Sequence, residues 1–407
     1  MSSTKRRRVV DGSAAAAAEN SNSQPPFIPS DLLVEIFARA DTKTIIRGAA
    51  TCKPIRRGIL GPDFHRRLAP RRAGAGRFDP ALLLGVSCLF RGGDPPEVFL
   101  QEQRRPFSFD AGKLLSSYLS SYEPMVSRGC LVVLHRRGWP PAALRVVNCL
   151  TGHVTCIDSP GLAGAVAGVY PRALLAVGEA GRSFQLLVAG TGLLMRVFSS
   201  ELGDWGDVIQ AHLPPSFIRT VPNRLSPPLV IGATVHWLCK EKGIVALDTS
   251  AARATVIKLP PKCFSQVSCP KGMDKGLLAS SDDGRLSLLV AEQVVISMWT
   301  LSAAPVAAEA RWTRQVVIHR QAIGREGPEC KVRFLQFGER SGTVMLQMER
   351  VGLIQIDLMG SGEARVIRDE FNKIGVSRYP RLQLCMHETD LPTLIQSITK
   401  NMKLFLS

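Results

Sequence analysis

The stretch LVIGATVHWLCKEKGIVALDTS, residues 229–250, decides how the larger part of this chain folds. An apolar triplet meets Gly232-Ala233. A run rich in β-branched and aromatic residues, TVHWLC, then leads to the polar turn KEKG. IVALD follows, and Thr249-Ser250 closes it. Runs this short, split by glycine and polar turns and without 3.6-residue spacing, read as strand, tight turn, strand, turn, strand.

The same form recurs on both sides. It is visible in CLVVLHRRGW (130–139), ALRVVNCLTGHVTCID (143–158), SFQLLVAGTGLLMRVFSS (183–200), GRLSLLVAEQVVISMWTL (284–301) and GTVMLQMERVGLIQIDL (342–358). Aligned on the polar or Trp position near the end of one strand, the runs place Asn148, Ser199, Asp248, Trp299 and Asp357 in register, at intervals of 51, 49, 51 and 58 residues. An all-β unit of about 50 residues matches one four-stranded blade of a kelch-like propeller. Residues 81–388 are therefore expected to form an all-β, kelch-like propeller of about six or seven blades. Residues 80–125 give no clear strand assignment.

The N-terminal part has another texture. Residues 1–26 (KRRR, AAAAA, ENSNSQPP) have the composition of a disordered tail, in which Lys5–Arg8 is either a nuclear import signal or a solvated basic end. Residues 27–70 read as three short helices. Ser30 is expected to cap the first, where Leu32, Leu33, Ile36, Phe37 and Ala40 form one apolar stripe. Asp41 or Thr42 can cap a second, carrying Ile45, Ile46 and Ala49, and Pro54 suits the first turn of a third with Ile55 and Ile59. Three such helices make a domain below the usual size for independent stability. The Gly/Arg-rich RRAGAGRFDP, 71–80, reads as a linker. In the C-terminal segment 389–407, Leu391, Leu394, Ile395, Ile398, Met402 and Phe405 recur at helical spacing, with Asp390 as cap. The fold class is thus α+β by domain.

Charge and composition narrow the function. Of the net charge of +17, residues 1–77 contribute 15 Lys/Arg against 6 Asp/Glu. Only 6% of residues are aromatic, and no basic run is interleaved with aromatics, which argues against a nucleic-acid interface. The ten cysteines include no C-x-x-C pair, and the seven histidines stand alone, so no metal site is expected. No catalytic residue or cofactor site is assigned. GLAGAVAG (161–168) lacks the Lys-Ser/Thr of a phosphate loop, and Ser397–Lys400 has the Ser-x-x-Lys spacing without companion motifs. The longest uncharged apolar run, ALLLGVSCLF at 81–90, is far short of a membrane span, and Ala14–Ala18 is too short and weakly apolar for a secretory leader. The expectation is an intracellular protein, cytoplasmic or nuclear, with reduced thiols and no membrane association.

FIPSDLLVEIFARADTKTIIRGAATCKPIRRGILGPDFHRRL, 27–68, resembles an F-box. Ile28-Pro29 matches the start, Leu32, Leu33, Ile36 and Phe37 the first helix, Ile45, Ile46 and Ala49 the second, and Cys52, Lys53 and Arg56 the third element. Pro62 and Phe64 match the close. Ile55 stands where the family usually has Trp, and Thr51 where it has Val. The rest of the chain is similar to the propeller-like associated domains of plant F-box proteins, on VIGATVHWLCKEKGIVALD, DGRLSLLVAEQVVISMWTL and FSSELGDW. The resemblance implies a non-catalytic, substrate-recruiting subunit of a Skp–cullin–F-box ubiquitin ligase. It implies that Pro29, Leu32, Leu33, Ile36, Phe37, Ile45, Ile46, Cys52, Lys53, Ile55 and Ile59 bind a Skp-type adaptor and, through it, a cullin. The β domain would hold a protein substrate that the sequence does not name. The alternative is a propeller scaffold with no link to ubiquitination.

Overall fold

The computed structural model describes residues 28–64, 78–91, 97–102, 118–119, 121–136, 144–162, 172–178, 181–190, 193–212, 227–239, 243–264, 276–302, 311–323, 331–358, 364–368 and 381–394. The basic tail, residues 71–77 of the expected linker, and 395–407 lie outside them. After three helices, α1 (Ser30–Ala38), α2 (Thr42–Thr51) and α3 (Lys53–Leu60), a single turn of 3-10 helix (Pro80–Leu82) leads into β1 (Leu83–Arg91) and β2 (Glu97–Glu102).

Five antiparallel meanders follow. The first is β3 (Tyr122–Arg128), β4 (Leu131–Arg136), β5 (Leu144–Asn148) and β6 (Val154–Ile157). The second is β7 (Arg172–Val177), β8 (Phe184–Ala189), β9 (Leu194–Ser199) and β10 (Asp204–Trp205), with β11 (Ile209–Gln210) also on β9. The third is β12 (Leu229–Ile231), β13 (Thr234–Leu238), β14 (Ile244–Asp248) and β15 (Arg253–Ile257). The fourth is β16 (Gly276–Ser280), β17 (Leu286–Ala291), β18 (Val295–Leu301) and β19 (Trp312–His319). The fifth is β20 (Val332–Phe337), β21 (Thr343–Met348), β22 (Gly352–Asp357) and β23 (Ala364–Arg368). The last strand, β24 (Arg381–Glu388), pairs with β1 in a three-stranded sheet of order β2-β1-β24.

The first strands of the five meanders and β24 neighbour one another in a ring, from β3 through β7, β12, β16 and β20 to β24 and back to β3. The molecule is a β-propeller. Among the described residues it has five complete blades, and the three-stranded sheet fills the remaining sector. The expectation of about six or seven blades is corrected on this point. The reason lies in residues 80–125. Their strands do not make a local meander but pair with the far end of the domain, Val86 opposite Met386 and Cys88 opposite Leu384. A sheet built from both ends of a domain closes the ring by main-chain hydrogen bonds.

The aligned positions mark the third strand of every complete blade. Asn148, Ser199, Asp248 and Asp357 end β5, β9, β14 and β22, and Trp299 lies inside β18. Two of them show why a polar residue recurs there. Asn148 Oδ1 accepts from the N–H groups of Leu150 and Thr151 at 2.9 and 3.1 Å. Asp248 Oδ1 accepts from Ser250 and Ala251 at 2.9 and 3.0 Å. The side chain thereby closes the tight turn into the outer strand.

The core is divided into layers between blades. Leu131 and Val133 of β4 face the second blade with Leu174, Leu186 and Val188, while Val132 and Leu134 face the opposite way with Leu119 and Cys385. Because both faces of such a sheet are covered, β17 and β21 are buried along their whole length and β4 over Leu131–His135, and these strands read as largely apolar runs.

Candidate functional site

The helical module is built as its sequence suggests. Asp41 accepts from Thr44 N–H at 3.0 Å and caps α2, and Pro54 sits in the first turn of α3. At α1 the expected cap is displaced by one residue. Pro29 precedes the helix without a side-chain cap bond, and Ser30 is the first helical residue. Gly48 on α2 lies under the ring of Phe37, where a Cβ would come within 2.3 Å of it, so the two helices close on an absent side chain. Arg56 Nε donates to Ala49 O at 2.9 Å and ties α3 to α2.

The module does not shelter itself, and much of its cover comes from its own propeller. Ile45, Ile46, Ala49, Ile59 and Phe64 are buried in one cluster with Leu82 and Leu84 at the start of β1 and with Leu391 and Leu394 beyond β24. Leu391–Leu394 is one helical turn, capped by Asp390, whose Oδ1 accepts from Thr393 N–H at 2.7 Å. The rest of the expected C-terminal helix lies outside the described residues.

Polar contacts fix the same junction. Thr42 Oγ1 donates to the Asp79 carboxylate, and Asp79 N–H donates to Arg340 O at 2.9 Å. Arg340 pairs with Asp390 at 2.9 Å, and Thr389 N–H donates to Leu82 O at 3.0 Å. Phe78 is buried against Phe337 and covers Gly342. Residues 78–80, expected to belong to a linker, thus dock on the loops at one face of the propeller.

The predicted adaptor residues therefore divide. Ile45, Ile46 and Ile59 are buried in the junction. Leu33, Phe37 and Ile55 are half-buried. Pro29, Leu32, Ile36, Cys52 and Lys53 are exposed, and Leu32 and Ile36 keep 56% and 53% of their surface in solvent, with Ile28 beside them at 46%. The helix is thus apolar on two sides, one anchored inward and one open.

The other candidate place is the central channel. Arg128, at the end of β3, donates from Nε to Glu339 at 2.9 Å and from Nη1 to Leu174 O at 3.0 Å and to Leu175 O. One guanidinium thus joins the first, second and fifth blades. Ser127, Pro228, Leu278, Gln336 and Glu388 line a space there of about 20 Å³, room for roughly one water. Burial pushes the Glu388 carboxyl up, against the N–H groups of Ser341 and Arg340 that it accepts. These bonds tie the blades together across the channel. Among the described residues no group of three His, Cys, Asp or Glu side chains could hold a metal ion, and no helix is long and apolar enough to cross a membrane.

A family model described as a domain of unknown function, DUF7595, matches residues 85–401. The chain belongs to this family. The DUF7595 match spans all five blades, β24 and nearly all of β1, and it ends beyond the Leu391–Leu394 turn. The three helices lie outside it, and with them every predicted adaptor residue. No curated protein compared with the DUF7595 chain matches it.

Among solved structures, a protein of unknown function from Bacteroides thetaiotaomicron is 13% identical, with 60% of this chain on 57% of that one and a TM-score of 0.34. A chain of a mitotic checkpoint complex is 10% identical, over 65% and 73%, with a TM-score of 0.32. A puromycin-hydrolyzing peptidase of Mycobacterium tuberculosis is 12% identical, over 61% and 37%, with a TM-score of 0.33. The DUF7595 chain thus spans less than two thirds of the Bacteroides protein and of the peptidase.

Proposed function

We propose that this protein is a propeller scaffold that recruits a protein substrate, and that its helical module docks a Skp-type adaptor in the manner of an F-box, linking the scaffold to a cullin ubiquitin ligase. In this reading it performs no chemistry of its own. One observation carries the proposal: Leu32 and Ile36 of α1, with Ile28 just before it, face solvent, while the other side of α1 packs on α2 and α3, whose buried residues share a cluster with the propeller. Apolar side chains this close together on a rigid base suit a partner's helices.

The magnitude is modest. Full burial of one such side chain is worth roughly 1.5–3 kcal/mol, so three half-exposed ones supply on the order of 3–4 kcal/mol before association costs. Pro29, Cys52 and Lys53 would have to add to it. The buried set Ile45, Ile46 and Ile59 then acts by holding α1 in place.

The test is co-purification of the full chain with a recombinant Skp-type adaptor. The wild-type chain should bind, and the double variant Leu32→Asp with Ile36→Asp should lose binding while its melting temperature stays within a degree or two. Failure of the wild-type chain to bind leaves the alternative, a scaffold whose helices only cap one propeller face. Burial of Ile45, Ile46 and Ile59 against Leu82, Leu84, Leu391 and Leu394 favours that second reading.

A further inference from the structure

The apolar layer between the first and second blades ends in charge. On β4, Leu131 and Val133 lie in that layer, and the two-residue period continues to His135. On β7, Leu174 lies in it, and the same period carries back to Arg172. Pairing agrees with this: His135 stands opposite Leu144, and Arg172 opposite Val188, both buried in the layer. Glu123 of β3 is the other register partner of His135. Arg172 opens the inner strand of its blade and Glu123 lies near the start of its own, whereas the helical module docks at the ends of the inner strands. The three residues therefore sit on the face opposite the helices.

Some polar atoms of this cluster have no partner among the described residues. Nε and Nη1 of Arg172 and Nε2 of His135 are closed off from solvent without a hydrogen-bond partner. Burial pulls the Arg172 guanidinium down to about 10. Burial, and then the Arg172 charge, lowers the His135 imidazole, while Glu123 raises it. The Arg172 side chain as a whole is half-buried, but the closed-off edge of its guanidinium is a cost to the fold, and a cluster of charged groups of this kind points to a binding site.

We infer that Arg172 and His135, with Glu123 beside them, form a pocket for the carboxylate of an acidic peptide segment. Arg172 supplies the charge and planar donors that carboxylates favour. Glu123 sets the limit: its negative charge disfavours a phosphate carrying nearly two charges more than it does a single carboxylate. The net charge of +17 steers acidic partners toward the chain. The inference gives the substrate class for the scaffold reading above and rests on it, but it is independent of the adaptor.

The probe is a fluorescein-labelled hexaglutamate peptide, followed by fluorescence anisotropy on the full chain. Its hexaglutamine and phosphoserine counterparts and free glutarate serve as comparisons. Hexaglutamate should bind, hexaglutamine should not, and the phosphoserine peptide and glutarate should bind more weakly. Arg172→Leu should weaken hexaglutamate binding about tenfold or more, the loss expected for one charge-assisted pair, while leaving the melting temperature equal or higher. Arg172→Gln, which keeps most of the volume, gives the same readout should the Leu variant fail to fold. Leu32→Asp with Ile36→Asp should bind the peptide as wild type does, so that loss of the adaptor and loss of this pocket are told apart. Hexaglutamate binding that is absent, or unchanged in both Arg172 variants, overturns the inference. Tighter binding of the phosphoserine peptide or of glutarate also overturns it.

Discussion

The helical module and the propeller contain similar apolar residues and hide them to different degrees. In the propeller each blade has a neighbour on both faces, so Leu288, Leu289 and Val290 on one strand are all fully buried. In the module three short helices have one neighbour, the propeller loops, so α1 buries one side and leaves Leu32 and Ile36 in water. Closure into a ring supplies cover from every direction, and a small appendage must find the rest elsewhere.

The contrast can be broken by substitution. The largest effect is expected at Trp237, fully buried between the second and third blades: Trp237→Ala should lose about 3–5 kcal/mol in denaturant unfolding. At the junction, Ile59→Ala should lose about 2–5 kcal/mol. A much smaller loss would mean that the module unfolds separately from the propeller.

Acid should act on the closing sheet. Burial depresses His387 to about 4, with its ring nitrogens held by Ser87 Oγ at 2.9 Å and beside Cys149 Sγ at 3.4 Å. The folded chain keeps this ring neutral while the unfolded chain protonates it below about pH 6.5. Stability is therefore full above pH 6.5 and declines toward pH 4, by about 3 kcal/mol for a shift of this size. His387→Gln should flatten that limb in a series of melting curves.

Smaller effects sharpen the module's half of the comparison. Asp41→Ala removes the cap of α2 and should cost about 1 kcal/mol. Leu32→Ala should change stability by less than about 0.5 kcal/mol, since the side chain already faces water. A larger loss at Leu32 would show that α1 is sealed in solution and would remove the ground for adaptor docking.

How much of this was legible depended on distance along the chain. The blade repeat showed because each meander is local, and in the first and third blades the third strand ends in a polar residue for a local reason, Asn148 or Asp248 closing the next turn. The three helices showed for the same reason, in Asp41, Pro54 and the apolar stripe. Strands β1 and β2 did not show, because their partner β24 lies at the other end of the domain. Neither did the splitting of the adaptor stripe, since Ile36 and Ile59 read alike until the propeller is placed against one of them. Arg172 gave no signal at all: an arginine at a strand end is ordinary until two blades close over it.

The sequence by itself determined the local units: short β meanders of about 50 residues, three short helices, and a basic balance. Only the tertiary structure decided the number of complete blades, the face on which the helices dock, and which side chains stay in water. Turn chemistry and periodicity act over a few residues and are written in order, whereas closure, docking and burial depend on pairs such as Leu83–Glu388 and Thr42–Asp79, which no local pattern records.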